Sequence, residues 1–169
     1  MVGVRRALAW DAPAIAAIHV RAWRAAYRGL LADELLERVS VAQREQFWRA
    51  ALAGPDAPLV FVAEREDAVA GFCAVSEPSR DGDADPDVAE IAAIYVDPAA
   101  WRSGIGRALM EAALDELRAG LWRGATLWVL AENRGAREFY AQFGFAPDGS
   151  QTVDARLGEL EVRLRVGLD

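Results

Sequence analysis

Residues Ile94–Met110 read IYVDPAAWRSGIGRALM, and this stretch decides the fold. Its first residues end an apolar run, VAEIAAIYV, that reads as a strand. Its last residues open a helix whose apolar positions Ile105, Leu109, Ala112 and Leu117 keep helical spacing. Between them lie the loop Asp97–Ser103 and two glycines, Gly104 and Gly106. The first turn of a helix has N–H groups without intrahelical partners and the positive end of the dipole. Glycines there remove the Cβ atoms that would hold an anion away. Arg102 and Arg107 flank the turn. The segment reads as an anion cradle, best suited to a pyrophosphate.

Outward from this stretch, a short strand VGVRRAL leads to a helix opened by Asp11-Ala12-Pro13 and ending near Gly29. Ser40 to Gln43 has capping-box spacing for a second helix, closed by Gly54-Pro55. Strands PLVFVAE and AVAGFCAVS flank a turn at Arg65-Glu66-Asp67. An acidic loop, EPSRDGDADPD, precedes the decisive strand. After the glycine helix come strand ATLWVLAE, helix NRGAREFYAQF, a strand-like GFAPDG and a last alternating strand, LGELEVRLRV. Neither a repeat nor a linker interrupts residues 1–169, so one domain is expected.

Composition limits the chemistry. The chain is 53% hydrophobic and 27% charged with a net charge of −7, a balance that argues against nucleic-acid and anionic-membrane surfaces. No apolar run is long enough to span a bilayer and the opening residues lack a secretory h-region, so a cytoplasmic protein is expected. There is no Lys, which excludes a P-loop. One Cys, Cys73, and one His, His19, build neither a structural zinc site nor a disulfide framework, so neither a metal nor a covalent intermediate is expected.

Two blocks together, IYVDPAAWRSGIGRALM and LWVLAENRGAREFYAQFGF, resemble the GNAT superfamily of acetyl-CoA-dependent N-acetyltransferases. The resemblance implies an α+β fold, with a central mixed, mostly antiparallel sheet of six to seven strands and four to five helices. It implies acetyl-CoA as co-substrate, held by Trp101, Arg102, Ser103, Gly104, Ile105, Gly106 and Arg107. It also implies that backbone groups of Ile94, Tyr95 and Val96 pair with the pantetheine arm and that Asn133 contacts CoA. The match departs at the head of the loop: where the family carries Gln or Arg this chain has Trp101, and the next residue, often Gly in the family, is Arg102. A Rossmann nucleotide site is the rival reading, with Glu132 as its ribose-binding acid. A loop intervenes between strand and glycines, however, and the third glycine position is Leu109.

Acetyl transfer to an amine requires removal of the ammonium proton, stabilisation of developing oxyanion charge and a proton for the departing thiolate. The resemblance places the acid at Tyr140, although Ala136, Phe139, Tyr140 and Phe143 also form an ordinary core stripe. Asn133, the single Asn, also suits a helix cap. Glu90 shares its strand face with Ala92, Ile94 and Val96, so a raised pKa suited to a base is expected, against a strand-end charge in solvent. His19, Trp23 and Tyr27 lie four apart on the first helix. Trp23 and Tyr27 are candidates to wall an acceptor cleft, against a plain core stripe. The implied acceptor is a small-molecule or peptide amine. Alternatives are a non-catalytic acyl-CoA sensor and a protein N-terminal acetyltransferase. Homodimers are common in the resembled family.

Overall fold

The computed structural model describes residues 2–155 and 157–168. Seven strands are hydrogen-bonded in the order β1-β2-β3-β4-β5-β7-β6, and five α-helices accompany them. The mixed, mostly antiparallel sheet expected from the sequence is the one observed. The chain divides into two compact units. The first comprises the segment up to Val75 together with Ala93–Asp115; the second comprises Ser76–Ala92 and the chain from Glu116 onward.

In the first unit, β1 (Gly3–Arg6) pairs antiparallel with β2 (Leu59–Arg65), and β2 with β3 (Ala68–Ser76). The β2–β3 turn is only Glu66-Asp67, both left-handed, with φ of 53° and 62°, as a tight two-residue hairpin demands. Helix α1 (Ala12–Tyr27) lays Ile15 and Ile18 against Val60, Val62, Phe72 and Ala74 of the two central strands. Helix α3 (Val41–Ala53) adds Trp48 to the same core, and Ser40 caps it by accepting from Gln43 N–H at 3.4 Å. Each such fully buried aliphatic side chain contributes about 1.5–3 kcal/mol.

The second unit holds the opening of β4 (Val88–Val96), β5 (Gly124–Leu130), β6 (Ala146–Val153) and β7 (Leu160–Gly167). Strand β4 runs parallel to β5, paired from Val88–Gly124 to Glu90–Thr126; β7 is antiparallel to both β5 and β6. Helix α5 (Arg134–Ala141) lies between β5 and β6 in sequence.

Three local readings need correction. Asp11 stands before α1, but its carboxylate makes no cap bond to that helix; it accepts from Leu8 N–H at 2.8 Å and from the Arg5 guanidinium, closing a 3-10 turn over Ala9–Asp11. The strand-like GFAPDG becomes β6 only from Ala146 and runs on to Val153, because Gly144, at φ +87°, belongs to the turn after α5. A five-residue helix α2 (Asp33–Glu37) was not anticipated; so short a segment carries too little periodicity to register. Among the described residues no helix is long and apolar enough to cross a membrane.

Candidate active site

In the first unit, Gly71 of β3 determines where the glycine turn sits. A Cβ at Gly71 would stand 2.9 Å from Ile105 Cγ2, 3.0 Å from Leu109 Cδ1 and 3.0 Å from the Tyr95 carbonyl oxygen. The missing side chain lets the first turn of α4 (Ile105–Ala119) pack down on the sheet, with Ile105 and Leu109 fully buried.

The connection from β4 to α4 is braced along its length. Asp97 donates its N–H to the Ala70 carbonyl at 2.8 Å, accepts from Ala99 N–H at 3.1 Å, and pairs with Arg21 of α1. A 3-10 turn over Pro98–Ala100 follows. The Trp101 indole Nε1–H donates to the Val96 carbonyl at 2.9 Å, and Ser103 Oγ donates to Ala100 O at 2.5 Å. Arg102 and Gly104 both have left-handed backbone, at φ 59° and +85°. The first bond of α4 runs from Ala108 N–H to the Gly104 carbonyl at 3.0 Å, so the N–H groups of Ile105 and Gly106 point out of the helix end. Beyond Gly104 and its chain neighbours, nothing lies within 4 Å of where a Gly104 Cβ would stand. Open space beside unpartnered N–H groups at a dipole's positive end is the physical requirement of an anion site.

Also in the first unit, the His19–Trp23–Tyr27 stripe splits. His19 joins the core, stacked on Tyr95 (ring centroids 4.9 Å, interplanar 22°), and its Nδ1 accepts from Trp48 Nε1–H at 3.4 Å. Burial, and after it the Arg44 charge, push its imidazole down to about 4. Trp23 and Tyr27 form a separate half-buried edge-on pair, centroids 5.6 Å apart. Cys73 is wholly buried, and burial pushes its thiol up to about 12.

The second unit carries Glu90, Asn133 and Tyr140. Asn133 caps α5, its Oδ1 accepting from Ala136 N–H at 3.2 Å. Tyr140 is half-buried and meets Phe139 and Phe145 edge-on, at 5.4 and 6.2 Å. Glu90 is only 4% exposed, as its apolar strand face led us to expect. Its electrostatics are the reverse of the expectation. Burial raises the carboxyl, but Arg80 donates from its backbone N–H (3.1 Å), Nε (3.0 Å) and Nη2 (2.6 Å), and these bonds with the guanidinium charge hold Glu90 below its ordinary value. Burial alone would raise a carboxyl; a bidentate arginine outweighs it.

Residues 13–145 match the model of the Acetyltransferase (GNAT) family. The chain belongs to this family. The domain is accordingly an acetyl-CoA-dependent acetyltransferase, and the Rossmann reading falls. Over 164 residues it is 30% identical to an uncharacterized N-acetyltransferase of Bacillus subtilis, YuaI, covering 95% of this chain and 91% of that protein. A 59-residue stretch is 46% identical to an uncharacterized N-acetyltransferase of Methanocaldococcus jannaschii, MJ1207, covering 35% of this chain and only 26% of that protein. Among solved structures, the fold matches the PaiA N-acetyltransferase of Thermoplasma acidophilum in complex with coenzyme A, with a TM-score of 0.78 at 16% identity over 96% of this chain and 98% of that one. It also matches YncA of Salmonella typhimurium with acetyl-CoA, with a TM-score of 0.74 at 22% identity over 100% and 95%.

Two arginines escaped the sequence reading. Arg80 is the single cation of the acidic loop, a hint that was available. Arg163 of β7, only 8% exposed, gathers Asp148 (2.6 Å), Asp81 (3.2 Å), Asp83 (2.6 and 2.9 Å) and Ser150 (2.8 Å), while Trp128 Nε1–H donates to Asp81 at 2.9 Å. Two aspartates of the loop, Asp81 and Asp83, are thus paired with Arg163, although Asp83 stays largely in solvent.

Proposed function

We propose that residues 1–169 act as one acetyltransferase domain that moves an acetyl group from acetyl-CoA to a primary amine, on a small molecule or peptide, by direct attack with both substrates bound. The observation that carries this reading is Gly104: a left-handed glycine at a helix start, with open space where any other residue would place a side chain. The site residues fit the cofactor in this respect. Backbone N–H groups of the Gly104–Arg107 turn would hold the pyrophosphate, with Arg102 and Arg107 adding charge. Ile94, Tyr95 and Val96 would line the pantetheine arm, and Asn133 would reach CoA with the part of its amide not engaged in the cap. When bound, acetyl-CoA supplies the thioester carbonyl that the amine attacks.

An acceptor that arrives as an ammonium first gives up one proton; the N–C bond of the neutral amine then forms, the C–S bond breaks, a second proton leaves the nitrogen and one joins the sulfur. We assign the sulfur's proton to the Tyr140 phenol. Trp23 and Tyr27 are assigned to the acceptor as apolar walls. Glu90 is ionised at neutral pH and so can attract an ammonium group, but a carboxyl held low is a weak base. We therefore give it charge complementarity to the acceptor and leave the ammonium proton to solvent. The pairing of Glu90 with Arg80 is also the observation that favours the second reading, a non-catalytic acyl-CoA sensor.

Thiol release from acetyl-CoA across a panel of amines and peptides, with Tyr140→Phe beside the unaltered chain, tests the proposal. Loss of the acid should slow turnover by about 100-fold or more with CoA binding retained. Undiminished turnover in the variant would remove Tyr140 from the mechanism; CoA binding without turnover on any acceptor would favour the sensor.

A further inference from the structure

Trp101 stands where the pattern of the resembled family has Gln or Arg, and the geometry gives it a function of its own. Its backbone is fixed on both sides, by the 3-10 turn Pro98–Ala100 before it and by left-handed Arg102 after it. Its side chain is 48% exposed, an unusual state for an indole. The ring is nevertheless held in place, because Nε1–H donates to the Val96 carbonyl at 2.9 Å. Indole has a single donor and no acceptor, so the surface that remains in solvent is hydrocarbon and π face only. A Gln or Arg side chain here would offer polar atoms to a phosphate; this ring offers none.

The Nε1–H bond ties the indole to the end of β4, and its backbone lies on the connection between Val96 and the glycine turn, so the ring is an apolar surface on the stretch that joins two sets of polar backbone groups. An acyl-CoA has the same sequence of chemistry. Amides of the pantetheine arm lie on one side, the pyrophosphate on the other, and the branched pantoyl segment with its two geminal methyl groups between them. We propose that Trp101 is the specificity-determining wall for that pantoyl segment, so that this chain grips the middle of its donor by apolar packing on a fixed ring. This inference rests on the acetyl-CoA reading above. The bond to Val96 has a second consequence. A carbonyl oxygen has two lone pairs and the indole engages one, so a ligand amide at Val96 shares the acceptor instead of having it alone.

Calorimetric titration with two probes, CoA and 3′-phospho-ADP, tests the assignment. The second probe carries the pyrophosphate and adenine but no pantoyl group. Trp101→Ala should weaken CoA by on the order of ten-fold, the effect of returning two methyl groups to water, and leave 3′-phospho-ADP unchanged. Trp101→Phe keeps an apolar ring without the indole N–H and should stay within ~3-fold of the unaltered chain, whereas Trp101→Gln should resemble Trp101→Ala. Equal losses for both probes would place the ring on the adenine and overturn the assignment. An unchanged CoA affinity in Trp101→Ala would overturn it outright. Failure of the unaltered chain to bind CoA at all would sink the acetyl-CoA reading, and this inference with it.

Discussion

Two loops adjoin strand β4, and they use polar chemistry in opposite ways. The loop that leads into β4, from Glu77 to Asp87, contains four acidic side chains after Glu77 itself and draws the eye as a place to attract a cation. In the structure Asp81 and Asp83 serve Arg163, and Arg80 covers Glu90. The loop that leads out of β4, Asp97–Gly104, carries few charges. Its side chains brace the backbone, through Asp97 on Ala99, Trp101 on Val96 and Ser103 on Ala100, and leave open space beside Gly104 at the helix start. Density of charge is thus a poor guide to a ligand site when every charge has a partner within the chain. A glycine held left-handed by its neighbours is a better one.

The comparison breaks most visibly at Arg163. If the acidic loop is held by internal pairing, Arg163→Met leaves carboxylates gathered around a vanished cation. Removal of one member of a buried pair costs about 3–5 kcal/mol, with the lower end expected here because Asp83 is largely exposed. Urea unfolding reads this directly, and a loss below about 1 kcal/mol would mean that the cluster is ordinary surface pairing.

Acid should separate the two regions in order. The folded His19 imidazole is lowered from 6.5 to about 4, so the unfolded chain binds the extra proton first. Stability attached to His19 is complete above pH 6.5 and is lost as pH falls towards 4, by at most about 3 kcal/mol. Glu90, Asp83 and Asp148 are also lowered, from 4.5, 3.8 and 3.8, but their contribution holds above those values and is lost only below them. Hydrogen exchange down a pH series should therefore show α1 and the end of β4 loosening between pH 6.5 and 4, before the Arg163 cluster responds. His19→Phe should remove the first step. Simultaneous loosening in both regions would contradict the assignment.

What could be read in the sequence follows the range over which each signal acts. Strand β4 appears over Val88–Val96 as expected, and α4 starts at the glycine turn, because an apolar run and a helical stripe are local patterns. The cap at Asn133 was visible for the same reason. Glu90 was read as buried from its face but not as paired, since Arg80 reaches it from a loop ten residues earlier. Arg163 was beyond reach. Glu161, Arg163 and Arg165 alternate with apolar residues as a solvated strand face would, and Arg163 is buried only because loop residues some 80 positions earlier fold onto it.

The account stands most directly on Gly104. Gly104→Val puts a side chain into the open space before the helix end and forces a branched residue into a left-handed backbone, while nothing in the core touches that position. Calorimetric titration of CoA into the purified variant is the measurement. The account predicts at least a 100-fold loss of affinity, about 2.7 kcal/mol, in a variant that retains its fold by circular dichroism. Undiminished CoA binding by that folded variant would contradict the reading of the glycine turn as the pyrophosphate cradle.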